Sequence, residues 1–313
     1  MAHGTGPVYQ GRRLPRPDEE VVDQGLGFDL ATLVNRRHVL RGLGVGAAVL
    51  GLAACGDDSP SGTADDSPSG TASGTATGEI PDETAGPYPG DGSNGPDVLE
   101  QSGVVRSDIR SSFGTASGTA QGVPMTLELT ILDMAGNDAP FKDVAVYVWH
   151  CDREGRYSLY SEGVTDQNYL RGVQIADASG KVRFTSIFPA CYTGRWPHVH
   201  FEVYPGRADI TDSTKAIATS QVALPKDVCD KVYATTGYSS SVSNLSRLTL
   251  ASDNVFGDDE AALQMGAVSG DVSRGFTVTL TVKVDTTTQP SGGGAPGGPG
   301  GGPGGTPPTG QVP

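Results

Sequence analysis

Residues 197–204 constrain the fold of this chain more than any other stretch. Polar and apolar residues alternate there, one set being His198, His200, Glu202 and Tyr204 and the other Val199, Phe201 and Val203. Because successive side chains of a β-strand point to opposite faces, this alternation predicts a strand whose apolar face packs on a core. The other face carries two imidazoles about 7 Å apart along the strand, close enough to bind one metal ion.

Other stretches have strand-like composition and are separated by runs of turn-forming residues. They are residues 125–132, 144–149, 181–187, 217–224 and 276–284. Helix signals are few, and residues 225–233 carry the clearest one. This distribution predicts an all-β protein, a β-sandwich or barrel of mainly antiparallel strands with few short helices.

Low-complexity segments flank the predicted domain. Residues 57–64 recur as residues 65–72, so residues 56–78 are interpreted as a disordered spacer. Much of the excess of glycine (45) and proline (22) lies in that spacer and in residues 286–313, which are expected to form a disordered tail. Residues 79–285 remain, roughly 200 residues, which is enough for one domain with a sizeable core.

The first 55 residues have the pattern of an export signal. Arg36 and Arg37 precede an apolar, glycine- and alanine-rich run at residues 43–54, which ends in a lipobox-like Leu-Ala-Ala-Cys55. The paired arginines favour the Tat pathway, with an ordinary secretory signal as the alternative. We therefore expect an exported protein that is lipid-anchored through Cys55 at the outer face of the cell membrane, or secreted.

The net charge limits the classes of partner. A formal charge of -14 argues against nucleic acid and against an anionic membrane surface. The one membrane contact predicted is therefore the lipid at Cys55.

Three cysteines remain once Cys55 is assigned to lipid. An exported protein tolerates disulfides, and three thiols allow one bridge. A Cys191–Cys229 disulfide is favoured because it would brace the loop that carries Tyr192. Pairing with Cys151 stays open at this point.

Polar aromatic residues lie close to the two histidines. Tyr192 and Arg195 precede the histidine strand in a loop marked by glycine and proline. Further upstream, Tyr157 follows a strand end and a glycine turn, with Tyr160 as its competitor. Two phenols and two imidazoles form a hard oxygen and nitrogen donor set that suits ferric iron.

These residues belong to a longer series of short motifs between about residues 83 and 284. The motifs lie at residues 83–88, 106–109, 149–152, 155–157, 170–174, 180–184 and 195–200. Together they resemble the intradiol ring-cleavage dioxygenases, the family of catechol and protocatechuate dioxygenases. The resemblance implies a β-sandwich that cleaves a catechol with O2 between its two hydroxylated carbons, giving a cis,cis-muconate-type diacid.

The resemblance also implies roles for single residues. A non-haem Fe(III) would be ligated by Tyr157, Tyr192, His198 and His200. Tyr192 would act as a base once displaced, and Arg195 would stabilise negative charge on the substrate ring. Gln221 matches an active-site glutamine, and Tyr88 is a candidate for lining the pocket or for packing.

Other functions stay open. A non-catalytic module that binds metal or an aromatic ligand on the same fold is the main alternative, and a metal-assisted hydrolase would need only the histidines and a water. Arg195 and Gln221 favour catalysis, because neither is needed to hold iron. The substrate catechol and the oligomeric state are left undetermined.

Overall fold

A computed structural model describes residues 78–288 and 290, together with the backbone of two short strands near the start of the chain. Those strands, β1 (Val8–Tyr9) and β2 (Arg12–Arg13), pair antiparallel. The rest of the predicted export signal, Cys55, almost all of the predicted spacer and most of the predicted tail lie outside the described residues. Within the described residues, no helix is long and apolar enough to cross a membrane.

Nine further strands and two short α-helices build the domain in the part of the chain described above. They are β3 (Pro124–Asp133), β4 (Ala139–Pro140), β5 (Ala145–Trp149), β6 (Arg171–Ile175), β7 (Lys181–Ile187), β8 (His198–Tyr204), β9 (Ala218–Ala223), α1 (Lys226–Tyr233), α2 (Ser239–Leu245), β10 (Ala267–Asp271) and β11 (Gly275–Val284). The all-β class predicted from the sequence is confirmed, and α1 matches the predicted helix. Strands β4, β6 and β10 and helix α2 of this domain were not predicted.

The strands form two sheets. The first has the order β10-β11-β3-β4, with β7 also paired to β3, and its β11–β3 pairing is parallel. The second has the order β6-β5-β8-β9 and is antiparallel throughout. Its register places His200 between Trp149 on β5 and Gln221 on β9, so these three side chains are neighbours across the sheet.

The main core lies between the two sheets. Leu127 and Leu129 of β3 and Phe184 of β7 pack in one buried cluster with Val148 of β5 and Phe201 of β8. Phe201 comes from the apolar set of the alternating segment, as the sequence predicts. The two sheets are therefore the layers of a sandwich.

The second sheet is also covered on its outer face. A separate buried cluster there joins Tyr147, Trp149 and Tyr204 to loop residues such as Ala85 and Val98. Every residue of β5, β8 and β9 is consequently buried. The polar face of β8 thus faces a covering of loops rather than solvent.

The cysteines correct one prediction. Cys151, Cys191 and Cys229 are all free, buried thiols, so the predicted Cys191–Cys229 disulfide is absent. Each sulfur instead faces a backbone carbonyl: Cys191 that of Arg195 at 3.5 Å, Cys229 that of Leu224 at 3.8 Å and Cys151 that of Ala190 at 3.7 Å. The loop carrying Tyr192 is held by other bonds, including one from Asn244 Nδ2 to the Cys191 carbonyl at 2.9 Å.

The inter-sheet core generates a stability prediction. Phe201→Ala should lower the free energy of unfolding by about 3–5 kcal/mol, because it leaves a cavity between the sheets. Val242→Ala, at an exposed position of α2, should change it by less than about 0.5 kcal/mol. Urea denaturation of the two variants and the wild-type protein checks both values; equal effects would contradict the sandwich core.

Candidate active site

Four side-chain nitrogen and oxygen atoms from three segments converge beside the start of β8. The Nε2 atoms of His198 and His200 are 3.0 Å apart. The hydroxyl oxygens of Tyr192 and Tyr157 lie 3.4 and 3.5 Å from His198 Nε2. The four residues that the sequence analysis grouped as ligands are therefore brought together, with their donor atoms directed at a common point.

The second sheet and the loop after β5 position these side chains. Trp149 on β5 stacks on the His200 ring, with centroids 4.8 Å apart and planes at 5°. After β5, the Asp152 carboxylate accepts hydrogen bonds from the backbone of Glu154 and Arg156 and closes a tight turn. Gly155 in that turn has φ +87°, and a Cβ there would lie 3.2 Å from Tyr192 Cβ. This close approach lets the Tyr157 and Tyr192 loops meet.

Both imidazole rings are held in the neutral form. His198 Nδ1 lies 2.5 Å from the Trp196 carbonyl, which can only accept, so the ring hydrogen is assigned to Nδ1 and Nε2 keeps its lone pair. Burial lowers the pKa of His198 to about 3 and holds that of His200 well below its usual value. The Nδ1 atom of His200 is buried without a hydrogen-bond partner.

The pKa values of the two phenols are shifted in the opposite direction, upward. Burial raises the pKa of Tyr192 to about 12 and that of Tyr157 well above its usual value, so both are neutral phenols in the absence of a cation. A strongly charged cation bound between them would reverse this preference, because it favours the phenolate.

The donor set fits a hard metal ion. Among the described residues, no group of three or more His, Cys, Asp or Glu side chains could hold a metal. The donors that meet at this site are instead two imidazoles and two phenol oxygens. Mixed oxygen and nitrogen donors without sulfur suit a hard, highly charged ion.

A guanidinium and an amide lie beside the four donors. Arg195 Nη2 donates to Gln221 Oε1 at 2.7 Å, and Gln221 Nε2 donates to the Thr84 carbonyl at 3.1 Å. Arg195 also pairs with the buried Asp253, Nε to Oδ2 being 3.1 Å. Burial by itself lowers the pKa of Arg195, but Asp253 together with the neighbouring Tyr192 and Tyr157 outweighs burial and raises the value. The site therefore keeps one charged guanidinium next to the donors.

Tyr88 lies against the donor Tyr157, with ring centroids 4.9 Å apart. Its backbone is held by the buried Arg171, which donates to the carbonyls of Tyr88 at 2.9 Å, Pro89 at 2.7 Å and Ser158 at 2.9 Å. One arginine thus ties the loop at residues 83–90 to the segment that carries Tyr157.

Tyr160 is placed away from the donors. Its hydroxyl donates to Asn94 Oδ1 and accepts from the Gly90 amide, both in the loop at residues 90–94. Tyr157 is thus the tyrosine directed at the histidines, and Tyr160 supports the loop.

Sequence reasoning missed three contributors to this site. Asp253 lies in a loop without periodic pattern, so nothing marked it as the partner of Arg195. Arg171 stands inside the quoted motif at residues 170–174, which could have identified it. Nothing in the local sequence marks Trp149 as a site residue, and its position opposite His200 on the neighbouring strand makes it the stacking partner.

Comparisons with known proteins agree with this geometry. A family model described as Dioxygenase matches residues 94–206, which include all four donors. A catechol 1,2-dioxygenase from a Pseudomonas species is 37% identical over 71 residues, which is 23% of this chain and 22% of that protein. The intradiol ring-cleavage dioxygenase from Tetranychus urticae superposes with a TM-score of 0.54 at 19% identity, over 68% of this chain and 97% of the other. Over residues 94–206 the sequence is similar to the dioxygenase family, and the fold is similar to that of an intradiol ring-cleavage dioxygenase.

The extent of each match defines what it supports. The sequence match spans about a fifth of the length of the Pseudomonas catechol 1,2-dioxygenase (22%). The structural match covers nearly all of the Tetranychus protein and establishes the shared fold. Gln221 and Asp253 lie beyond the matched residues 94–206, so their placement beside Arg195 is an observation of the structure alone.

Glu202, two positions after His200, generates a prediction about pH. It is 1% exposed, accepts a hydrogen bond from Tyr204 at 2.8 Å, and has its pKa raised to about 8 by burial and by Asp91. The folded protein therefore holds a proton that the unfolded chain releases near pH 4.5. Its stabilising contribution is complete below that pH and is lost as the pH rises to about 8.

Glu202→Gln should therefore gain stability relative to the wild-type protein across this window. The expected slope is at most about 1.4 kcal/mol per pH unit, because the amide stays neutral. Urea unfolding of both proteins in metal-free form at pH 5, 6.5 and 8 measures it. A difference that is constant with pH would mean that Glu202 is ionised in the folded state.

Proposed function

We propose that this protein is a non-haem Fe(III) intradiol dioxygenase that cleaves a catechol with O2 between its two hydroxylated carbons, giving a cis,cis-muconate-type diacid. The observation that carries the proposal is the convergence of Tyr157, Tyr192, His198 and His200 on one point beside Arg195. Ferric iron at that point would act as a Lewis acid toward the catechol oxygens.

The chain supplies both ionisable and fixed groups for this reaction. Tyr192 is partly exposed whereas Tyr157 is 2% exposed, so Tyr192 is the phenol that can move and accept a catechol proton. Tyr157 stays packed between Tyr88 and the histidines. The two phenols therefore have different roles, one as a base and one as a fixed ligand.

Arg195 provides preorganised positive charge. Its guanidinium is held by Gln221 and Asp253 before any ligand binds, so negative charge developing on the substrate ring meets a fixed partner. Phe256 is fully buried beside both groups, its ring lying 6.4 Å from that of His198 and 6.0 Å from Arg195 Cζ. A module that only bound metal would have no use for this arrangement.

The visible spectrum of the purified, iron-loaded protein tests the proposal. Ferric ion bound by phenolates should give a red charge-transfer band, and catechol under air should shift the band and be converted to a diacid. A band that shifts without product would favour the binding module, and a colourless folded protein that takes up no iron would refute the site.

The matched variants are Tyr157→Phe and Tyr160→Phe. Loss of the Tyr157 oxygen should remove most of the colour and lower iron affinity at least about tenfold, because one of four donors is gone. Tyr160→Phe should retain both, since its hydroxyl bonds only to the neighbouring loop. Quenching of tryptophan fluorescence should report iron binding independently of turnover, because the Trp149 ring stacks on His200.

We also propose that the protein is exported and held by lipid at Cys55 at the outer face of the cell membrane, as the lipobox and paired arginines indicate. Cys55→Ala should move the protein from the membrane to the soluble fraction after cell fractionation. Replacement of Arg36 and Arg37 by lysine should block export by the Tat pathway. Unchanged export would assign an ordinary secretory signal, and unchanged membrane retention of Cys55→Ala would refute the anchor.

A further inference from the structure

Asp253 is a buried carboxylate that the proposed chemistry does not use directly. Its side chain has no solvent exposure, and it lies 58 positions after Arg195. Oδ2 accepts from Arg195 Nε at 3.1 Å and from the Trp196 amide at 2.6 Å. Oδ1 accepts from the amides of Val255 at 2.9 Å and Phe256 at 3.1 Å, and lies 3.4 Å from Arg195 Nη2. The carboxylate is therefore fixed by three backbone donors before it meets the guanidinium.

The guanidinium is held along two of its edges. Arg195 Nε donates to Asp253, and Arg195 Nη2 donates to Gln221 Oε1 at 2.7 Å. The Gln221 amide is itself held by its hydrogen bond to the Thr84 carbonyl. Nη1 makes no hydrogen bond to any residue in the described part of the chain. One nitrogen of a rigid planar group is thus left for a ligand, while the others determine its direction.

Charge gives Asp253 a second effect. A buried guanidinium without a counter-ion is costly, and removing one partner of such a pair leaves the other uncompensated. With Asp253 present, Arg195 can remain charged and ordered beside neutral imidazoles and neutral phenols. Without it, the same side chain would be driven toward water at the exposed neighbours Thr193 and Gly194.

We propose that Asp253 is the positioning residue of this active site, which holds Arg195 so that Nη1 is directed at the ring of the bound catechol. The inference rests on the proposed function. It extends that function by assigning a residue outside the metal ligands and outside the segment that matches the dioxygenase family model.

A purely structural role is the competing explanation, because Asp253 also caps a turn. Asp271 offers a matched control. Its carboxylate accepts from the amides of Ser273 and Arg274 and pairs with the Arg274 side chain at 2.7 Å, in the β10–β11 turn. Asp271→Asn therefore removes the charge of another turn-capping, arginine-paired carboxylate, at a more exposed place in the fold.

The test is a double-mutant cycle with the iron-loaded full chain: wild type, Asp253→Asn, Arg195→Met and the double variant. Two quantities are measured, namely steady-state kcat and KM and the anaerobic affinity for catechol from the shift of the charge-transfer band. Asp253→Asn should lower kcat/KM by about 10- to 100-fold, the loss typical when the outer partner of an active-site group is removed. In the Arg195→Met background the same change should alter it less than about twofold.

Equal losses in both backgrounds, or no loss in the wild-type background, would overturn the proposal. Asp271→Asn should leave kcat, KM and catechol affinity unchanged, and a loss there equal to that of Asp253→Asn would assign the effect to turn capping. If Asp253→Asn fails to fold, Asp253→Glu keeps the charge but displaces the guanidinium. Its kcat should fall while its iron band stays at the wild-type wavelength, and unaltered kcat would equally overturn the proposal.

Failure of the proposed function gives a different pattern. A wild-type protein that binds catechol without turnover would refute the dioxygenase, yet the cycle in catechol affinity could still be measured and would still decide whether Asp253 acts through Arg195.

Discussion

The 3.0 Å separation of the two Nε2 atoms on β8 is the contact on which the rest of the site depends. Two imidazoles two positions apart on a strand share a face, but they meet only if each ring is held. The Trp196 carbonyl holds His198 through Nδ1, and the Trp149 ring holds His200 by stacking. Antiparallel pairing of β5 with β8 puts Trp149 opposite His200, so the backbone register is the ultimate cause of the geometry.

Covering this face of the sheet with loops then determines its chemistry. Burial keeps both imidazoles neutral and both phenols protonated, so the side chains at this point carry no charge of their own. Arg171 ties the covering loop to the Tyr157 segment through three carbonyls. The loops therefore contribute as much to the site as the strands do, although they contain little regular structure.

Local pattern was sufficient for most of the strands and for placing the two histidines on one face. Alternation on β8 predicted both the core side of Phe201 and the opposite side that carries His198 and His200, because the period of a strand is independent of its tertiary partners. Pairings between distant segments were not predictable in the same way. The partner of Arg195 lies 58 positions away in an irregular loop, and nothing local marks Asp253 as buried. The Cys191–Cys229 disulfide was wrong for a related reason: thiol counts do not say which way a sulfur points, and each one faces a carbonyl.

The absence of that disulfide changes how the Tyr192 loop must be held. Hydrogen bonds do this instead. At one end of the loop the Cys191 amide donates to Ser241 Oγ at 3.0 Å, and the Cys191 carbonyl accepts from Asn244. At the other end the Trp196 amide donates to Asp253. Hydrogen bonds of this kind fix the loop ends but leave Thr193 and Gly194 exposed between them. Tyr192 and Arg195 therefore flank the exposed part of a loop that is anchored at both ends. The proposed reaction would use this arrangement, because Tyr192 would exchange a proton beside a guanidinium that Asp253 and Gln221 hold in place.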